Sequence, residues 1–177
     1  EIIDAIEISE TAITTIKSRG IDGLREVSLF NGSDIPREDG SYDLAILSHV
    51  VEHLEHPRQL LREAARVAKK VLVEVPLELK VRTPNHFKWN DTGHINLYSP
   101  KIIRHLLEST GLEILNERTV NHSYDVYRYL SGKRGVLHWA VKQLSLVLAP
   151  RLATFLFTYN WVALCGSSRS GIYKRPK

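Results

Sequence analysis

Three of the chain's eight histidines and two glutamates lie within residues 47–57, LSHVVEHLEHP. His49, Glu52 and His53 follow the H-x-x-E-H spacing of inverted zinc peptidases, in which a helix presents two imidazoles and a glutamate acts as base. However, a buried strand is predicted directly before His49, and Pro57 starts a new helix four residues after His53. No downstream glutamate stands out as a further ligand. We therefore expect no metal ligands here and keep a zinc hydrolase as an alternative.

The elements that position this stretch are predicted from hydrophobic pattern and capping residues. Ser9, Pro57 and Ser99-Pro100 are typical helix starts, and short apolar segments lie between the predicted helices. Strands alternating with helices at these lengths predict a mostly parallel α/β sheet. The strands are predicted at residues 2–8, 27–30, 42–47, 71–75, 112–120 and 161–165.

Polar residues follow the first three predicted strands: Glu7, then Asn31-Gly32, then Ser48-His49. In open α/β sheets, ligands bind beyond the carboxyl ends of the strands. A glutamate there can accept hydrogen bonds from ribose hydroxyls, a glycine lets the backbone approach a flat base, and an amide can pair with the base edge. These residue types therefore predict an adenosine-type cofactor.

Bulk properties indicate a soluble globular protein with a single domain over its 177 residues, since 43% are hydrophobic and 25% are charged. One cysteine, Cys165, excludes an internal disulfide framework and favours a reducing compartment. The first residues lack the basic and apolar regions of a secretory signal, so we expect a cytoplasmic protein. No methionine is present, which leads us to expect an N-terminally truncated chain.

The C-terminal part is basic, because no acidic residue follows Asp125. This favours contact with an anionic membrane surface, although a solvated basic face explains it equally well. We predict no specific nucleic acid partner, and the oligomeric state is left open. Residues 136–157 are apolar and helical in pattern but are interrupted by Lys142, Pro150 and Arg151, so we do not expect a transmembrane span. A lid over an apolar acceptor, an interfacial membrane helix and a core or dimer-contact helix all remain open.

Several segments together resemble the class I S-adenosylmethionine-dependent methyltransferases, small-molecule branch. They are Ile6-Glu7-Ile8-Ser9, the DIP and DGSYDL pieces of residues 34–44, SHVVEHL before Pro57, and GHINLYSP at residues 93–100. The resemblance implies a Rossmann-like twisted sheet with helices on both faces, an antiparallel last strand and a helical insertion before it. That insertion is expected at about residues 124–158, followed by a basic tail at 168–177.

The resemblance also implies S-adenosyl-L-methionine as cofactor and a small acceptor, apolar or lipid-like. In this arrangement Glu7 binds the ribose hydroxyls, Ile8 packs on the adenine, and Asn31 stands where the family usually has an aspartate. Gly32 offers its backbone N–H group. The residues implied to bind the cofactor are Glu7, Ile8, Asn31, Gly32, Ser48 and His49.

Four side chains are expected to face the reaction. His49 and His94 are candidate general bases, because imidazole titrates near neutrality. His94 and Tyr98 lie in the long aperiodic segment 77–98, and long loops of this kind are usually functional. Tyr98 and Trp139 are the expected acceptor-binding residues.

One departure from the family is the absence of any G-x-G among the ten glycines. The family's first strand and glycine-rich loop precede the strand that opens this chain, and that first strand separates the strands predicted at residues 2–8 and 42–47. We therefore expect two unpaired inner edges and poor cofactor binding without upstream residues. A non-catalytic remnant or an interaction module is the remaining alternative.

Overall fold

The computed structural model describes residues 2–87 and 93–167. Within these residues, six strands and five helices follow one another in an α/β order. The strands are β1 (Ile3–Glu7), β2 (Leu24–Leu29), β3 (Tyr42–Ser48), β4 (Ala68–Pro76), β5 (Leu112–Val120) and β6 (Asn160–Ser167). The helices are α1 (Glu10–Ser18), α2 (Pro57–Val67), α3 (Pro100–Glu108), α4 (Tyr124–Leu148) and α5 (Pro150–Leu156).

The chain divides into two compact units, Glu1–Glu38 and Asp39–Lys177. In the first unit, β1 and β2 pair in parallel from Ile3 opposite Leu24 to Glu7 opposite Leu29. Ser9 caps α1 as predicted, since its side chain accepts a hydrogen bond from the Ala12 N–H group. β2 begins three residues earlier than the apolar pattern indicates, because pairing with β1 extends the strand through polar residues.

The second unit contains a four-stranded sheet with the order β3-β4-β6-β5. β3 is parallel to β4, and β6 is antiparallel to both β4 and β5. Three strands therefore run in one direction and β6 opposes them, which confirms the predicted antiparallel last strand. Cys165 lies in β6 between two neighbouring strands and is fully buried, which raises the pKa of its thiol to about 11.

Helices of the second unit are anchored by apolar side chains at helical spacing. Leu60, Leu61, Ala64 and Val67 form the buried side of α2, and each fully buried leucine contributes about 1.5–3 kcal/mol. α3 begins at Pro100 as predicted, with the Ser99 hydroxyl accepting from Ile102 N–H. α2 ends directly before β4 begins, and the other end of β4 carries one of the polar residues described below.

Among the described residues, β3 lies at the edge of the four-stranded sheet. On β3, the side chains of Leu44 and Ile46 are 43% and 63% exposed. An edge strand with apolar side chains facing solvent is a template for pairing with another strand.

Helices α4 and α5 occupy residues 124–156, which agrees with the helical insertion expected at about residues 124–158, and Ser123 caps the start of α4. Gly132 interrupts α4 with φ 55° and ψ −138°, a conformation open mainly to glycine. Pro150 starts α5, as expected for a proline that interrupts a helical pattern. No helix among the described residues is long and apolar enough to cross a membrane. The predicted basic tail at 168–177 lies outside the described residues.

Candidate active site

The carboxyl ends of β3 and β4 and the start of β6 bring together a polar network. Ser48 lies opposite Glu74 in the sheet, and Asn160 lies opposite Pro76. The Ser48 hydroxyl donates to Glu74 Oε2 at 2.8 Å, and Asn160 Nδ2 donates to Glu74 Oε1 at 2.8 Å. Side chains from the two neighbouring strands therefore hold both oxygens of Glu74. The carboxylate lies at the end of the sheet where His49 follows β3.

His49 sits directly beyond β3 with φ 54°, a left-handed conformation that is strained for a residue with a side chain. Its Nδ1 lies 3.1 Å from Glu52 Oε1, and its Nε2 lies 3.3 Å from Asn160 Nδ2. A carboxylate only accepts and an amide nitrogen only donates, so Nδ1 carries the proton and the Nε2 lone pair accepts the hydrogen bond from Asn160. The side chain of His49 is 41% exposed, and its role as a general base stays a prediction.

Glu52 is the most deeply placed charged group of this region, since it is fully buried. It lies in a single 3-10 turn, Val51–His53, and its Oε2 has no hydrogen-bond partner within the part of the chain that the structure describes. Its backbone carbonyl accepts from both Ile95 and Asn96 N–H groups at 3.0 Å. Glu52 therefore joins the end of β3 to the loop that follows Gly93.

His94 and His53 lie against one another in this loop region, with ring centroids 4.8 Å apart in an edge-to-face arrangement. His94 Nδ1 bonds to Glu78 Oε2 at 2.6 Å, and His53 Nδ1 bonds to the Gly93 carbonyl at 3.2 Å. His94 thus has a carboxylate on Nδ1, as His49 does, and both expected bases are oriented by an acid.

The helical geometry that an inverted zinc peptidase requires is not formed. His49 precedes the 3-10 turn and contacts Glu52, whereas His53 ends that turn and contacts Gly93. Among the described residues, the His/Cys/Asp/Glu group that could hold a metal ion is instead Glu52, His53 and His94.

Tyr98 and Trp139, the expected acceptor-binding residues, both use their polar atoms internally. Tyr98 is 4% exposed, its hydroxyl donates to the Val51 carbonyl at 3.3 Å, and burial raises its pKa to about 12. Trp139 donates its indole N–H to the His122 carbonyl at 3.1 Å and packs edge-on against Tyr124. Their contact with an acceptor stays a prediction.

In the first unit, Glu7 and Asn31 lie at the same end of the two-stranded sheet, since Phe30 N–H donates to the Glu7 carbonyl. Glu7 Oε1 accepts from the N–H groups of Ile8 and Ser9, which holds the carboxylate at the strand end. Asn31 Oδ1 accepts from Ser33 and Asp34 N–H groups, so this amide shapes its own turn. Ile8 is 70% exposed, as an adenine-packing residue needs to be in the absence of ligand.

Gly32 occupies the turn after β2 with φ 87°, and a Cβ atom there would meet nothing within 4 Å. The turn therefore needs glycine for its conformation, and the open space leaves its backbone accessible. The cofactor-binding roles of these first-unit residues stay predictions.

Sequence reasoning missed Glu74 and Asn160 and assigned no role to Glu52. Glu74 gave one signal, a charged residue inside the apolar strand VLVEV. Asn160 gave none, because its place beside Glu74 depends on β6 entering the sheet antiparallel, 86 residues along the chain. Near this network His122 is partly buried, and burial, with Lys142 and His49 nearby, lowers its pKa.

The sequence is similar to a protein family described as a methyltransferase domain, which matches residues 4–117. A segment of 65 residues is 31% identical to an uncharacterized protein of Methanocaldococcus jannaschii. That segment covers 37% of this chain and 30% of the relative, so the match spans less than a third of the relative's length.

Solved structures share the fold. The [4+2]-cyclase SpnF superposes with a TM-score of 0.61 at 18% identity, covering 93% of this chain and 65% of that one. Geranyl diphosphate methyltransferase, in complex with S-adenosylmethionine, gives a TM-score of 0.61 at 12% identity, covering 94% and 69%. At these identities the likeness shows the fold alone, and a cyclase among the neighbours illustrates that one fold hosts several reactions. With the family match over residues 4–117, the chain belongs to the methyltransferase-domain family and has the Rossmann-like class I fold of S-adenosylmethionine-dependent methyltransferases.

Proposed function

We propose that this protein transfers a methyl group from S-adenosyl-L-methionine to a small acceptor, apolar or lipid-like, in the cytoplasm. The observation that carries the proposal is the family match over residues 4–117, which includes the ends of β1, β2 and β3. Each of these strand ends carries a polar residue of the kind an adenosine-type cofactor requires: Glu7, Asn31 and Ser48.

The cofactor supplies an activated methyl group on a sulfonium, so the protein's main task is to hold the acceptor in line. Positioning of this kind can lower the barrier by about 7–11 kcal/mol. Where the acceptor is a hydroxyl or amine, the new bond to the methyl carbon would form as the sulfonium–methyl bond breaks and S-adenosylhomocysteine leaves, and His49 Nε2 would take the acceptor's proton. Glu52, 3.1 Å from Nδ1, stabilises the imidazolium that results. His94 with Glu78 is the second candidate for this role.

The helices α4 and α5 support the proposed type of acceptor. Leu144, Val147 and Leu148 on α4 are 59%, 69% and 73% exposed, and Leu152 and Phe155 on α5 are more than half exposed. Exposed basic residues lie on the same helices, namely Arg128, Lys133, Arg134 and Arg151. Exposed apolar side chains and basic residues on the same helices suit an anionic lipid surface or a lid over an apolar acceptor.

The exposed edge of β3 supports a further proposal about domain organisation. We propose that a parallel strand upstream of Glu1 pairs with β3, covers Leu44 and Ile46, and leads into the glycine-rich loop that holds the methionine carboxylate. Residues 1–177 would then be one methyltransferase domain lacking its first strand.

The cofactor proposal predicts that Glu7→Gln weakens binding of S-adenosylhomocysteine to the full native protein. Loss of a charged hydrogen-bond acceptor costs about 1.5–3 kcal/mol, so the Kd should rise roughly 10- to 100-fold in isothermal titration calorimetry. Glu10→Gln is the matched control, since it removes the same charge from the first turn of α1 and should leave the Kd unchanged. Equal binding by wild type and Glu7→Gln would contradict the assigned role of Glu7, and no binding by the native protein would indicate a non-catalytic remnant.

A further inference from the structure

One carboxylate and two imidazoles of the second unit converge on a single point. One ligand atom from each of Glu52, His53 and His94 lies within 4.8 Å of the other two. These residues come from the turn after β3 and from the loop before α3, so the convergence depends on the fold.

The hydrogen bonds of the two imidazoles prepare them for coordination. The Gly93 carbonyl and the Glu78 carboxylate are acceptors, so the Nδ1 atoms of His53 and His94 donate to them and each ring is held in one orientation. Metal-binding histidines characteristically donate their other N–H group to a backbone carbonyl or a carboxylate, which fixes the ring and raises its basicity. Here a backbone carbonyl orients His53 and a carboxylate orients His94.

Glu52 gives an independent indication that a cation binds at this point. It is fully buried, His49 takes only Oε1, and Oε2 has no hydrogen-bond partner among the described residues. A buried carboxylate oxygen without a partner is costly, and a bound cation is one way to satisfy it.

The loop that carries His94 is held directly to the turn that carries Glu52. Ile95 and Asn96 N–H groups donate to the Glu52 carbonyl, and Asn96 Nδ2 donates to the Leu54 carbonyl at 2.7 Å. These bonds fix the spacing of the two segments before any ligand binds. Bonds of about 2.0–2.1 Å to a tetrahedral ion place ligand atoms roughly 3.4 Å apart, a small approach that the exposed His53 side chain can supply.

We propose that Glu52, His53 and His94 form a binding site for one divalent transition-metal ion of the zinc type. Two imidazoles and one carboxylate suit such an ion and leave at least one coordination position for water or a substrate oxygen. His49 supports the site through Glu52, and Glu78 supports it through His94.

The test is zinc titration of the tag-free, chelator-treated full chain by calorimetry, with the metal content measured by mass spectrometry. One Zn²⁺ per chain is expected. His53→Ala and His94→Ala should each raise the Kd about 100-fold or more, and Glu78→Gln, which removes only the support of His94, about 10- to 100-fold. Cobalt in place of zinc should give a visible absorption band that His53→Ala abolishes.

His56→Ala is the matched control, an exposed histidine three residues beyond His53 and outside the cluster, and it should leave the Kd within about twofold. Because Glu52 is buried, zinc binding by Glu52→Gln is interpreted only if circular dichroism shows that this variant is folded. If it is not folded, the His53→Ala variant, which changes an exposed side chain, provides the test. Unchanged zinc binding in His53→Ala, no binding by wild type, or equal losses in His56→Ala would overturn the proposal. S-adenosylhomocysteine titration of the same samples separates this outcome from failure of the proposed methyl transfer.

Discussion

Lys142 is a buried cation on α4 that has no carboxylate partner among the described ion pairs. Its Nζ donates to the Thr158 carbonyl at 2.5 Å and to the Tyr127 hydroxyl, and it lies 4.7 Å from the centre of the Tyr159 ring. Burial, with Lys80 nearby, lowers the pKa of Lys142 to about 8. Carbonyl and aromatic contacts therefore replace only part of the hydration that the ammonium group loses.

This predicts a specific pH dependence of stability. The pKa of Lys142 is 10.5 unfolded and about 8 folded, so between these values the unfolded chain binds more protons and the free energy of unfolding rises with pH. The rise is at most about 1.4 kcal/mol per pH unit. Urea unfolding from pH 7 to 10 should show that the free energy of unfolding of wild type increases relative to that of Lys142→Met.

Comparison with a variant is needed because other groups titrate in the opposite sense. The raised pKa of Cys165, about 11, lowers stability as pH rises above 9 in both proteins. Lys101→Met changes an exposed lysine on α3 and should show no pH-dependent difference from wild type. A constant difference between wild type and Lys142→Met across the range would refute the prediction.

At the residue scale, a side chain's role could be predicted when it depends on residues close in sequence and not when it depends on residues far along the chain. Ser48 and His49 were found because the end of a buried strand is visible locally. The role of Glu52 was not, since its burial depends on a loop that returns 40 residues later. Lys142 was read as an interruption of an apolar helix, whereas the fold gives it acceptors from α4 itself and from Thr158.

Among the elements, strand and helix starts with capping residues were predicted most accurately. Ser9, Pro57 and Ser99 all begin helices as expected, and the bounds of β5 agree fully. The family resemblance placed the insertion from about residue 124, where α4 begins, whereas the apolar helical pattern begins only at residue 136, because residues 124–135 mix aromatic, basic and glycine residues. Their helix is stabilised instead by packing around Tyr127 and Gly135.

Gly135 is the point at which the kinked α4 packs against itself. A Cβ atom there would lie 2.1 Å from the Tyr127 carbonyl oxygen, a backbone atom that cannot move without shifting the helix. We predict that Gly135→Ala lowers the free energy of unfolding by about 1–3 kcal/mol, although alanine is normally the better helix former. Urea denaturation followed by circular dichroism measures the change.

Gln143→Ala, at an exposed position on the same helix, is the control and should change stability by no more than about 0.5 kcal/mol. A Gly135→Ala variant as stable as this control would show that the two parts of α4 do not approach so closely.

For the molecule as a whole, the apolar face of α4 and α5 predicts association with anionic lipid. Leu144→Ser with Leu148→Ser removes two exposed side chains one turn apart and should weaken binding to phosphatidylglycerol vesicles at least 10-fold in sedimentation. Binding of wild type should also fall with added salt, because the flanking residues are basic.

Ile21→Ser with Ile102→Ser is a matched control, since these side chains are 45% and 44% exposed and lie outside the two helices. If both double variants lose vesicle binding equally, or neither does, the helical face is not the lipid-binding surface.

The fold class could be predicted because alternating strands and helices allow few topologies. The antiparallel direction of the last strand was implied by the family resemblance, and the pairing of β6 with β4 and β5 confirms it. The acceptor could not be predicted, because it depends on loops and on an insertion whose apolar helical pattern fits a lid, a membrane contact or a core helix equally well.

The rate at which Cys165 is alkylated can report on opening of the four-stranded sheet. It is the chain's single cysteine and is fully buried in β6 between β4 and β5. A thiol reagent can reach it only when those strands separate, so its alkylation rate counts opening events in the native state. Any ligand that holds the strand ends together slows that rate, and the measurement does not require the acceptor to be known.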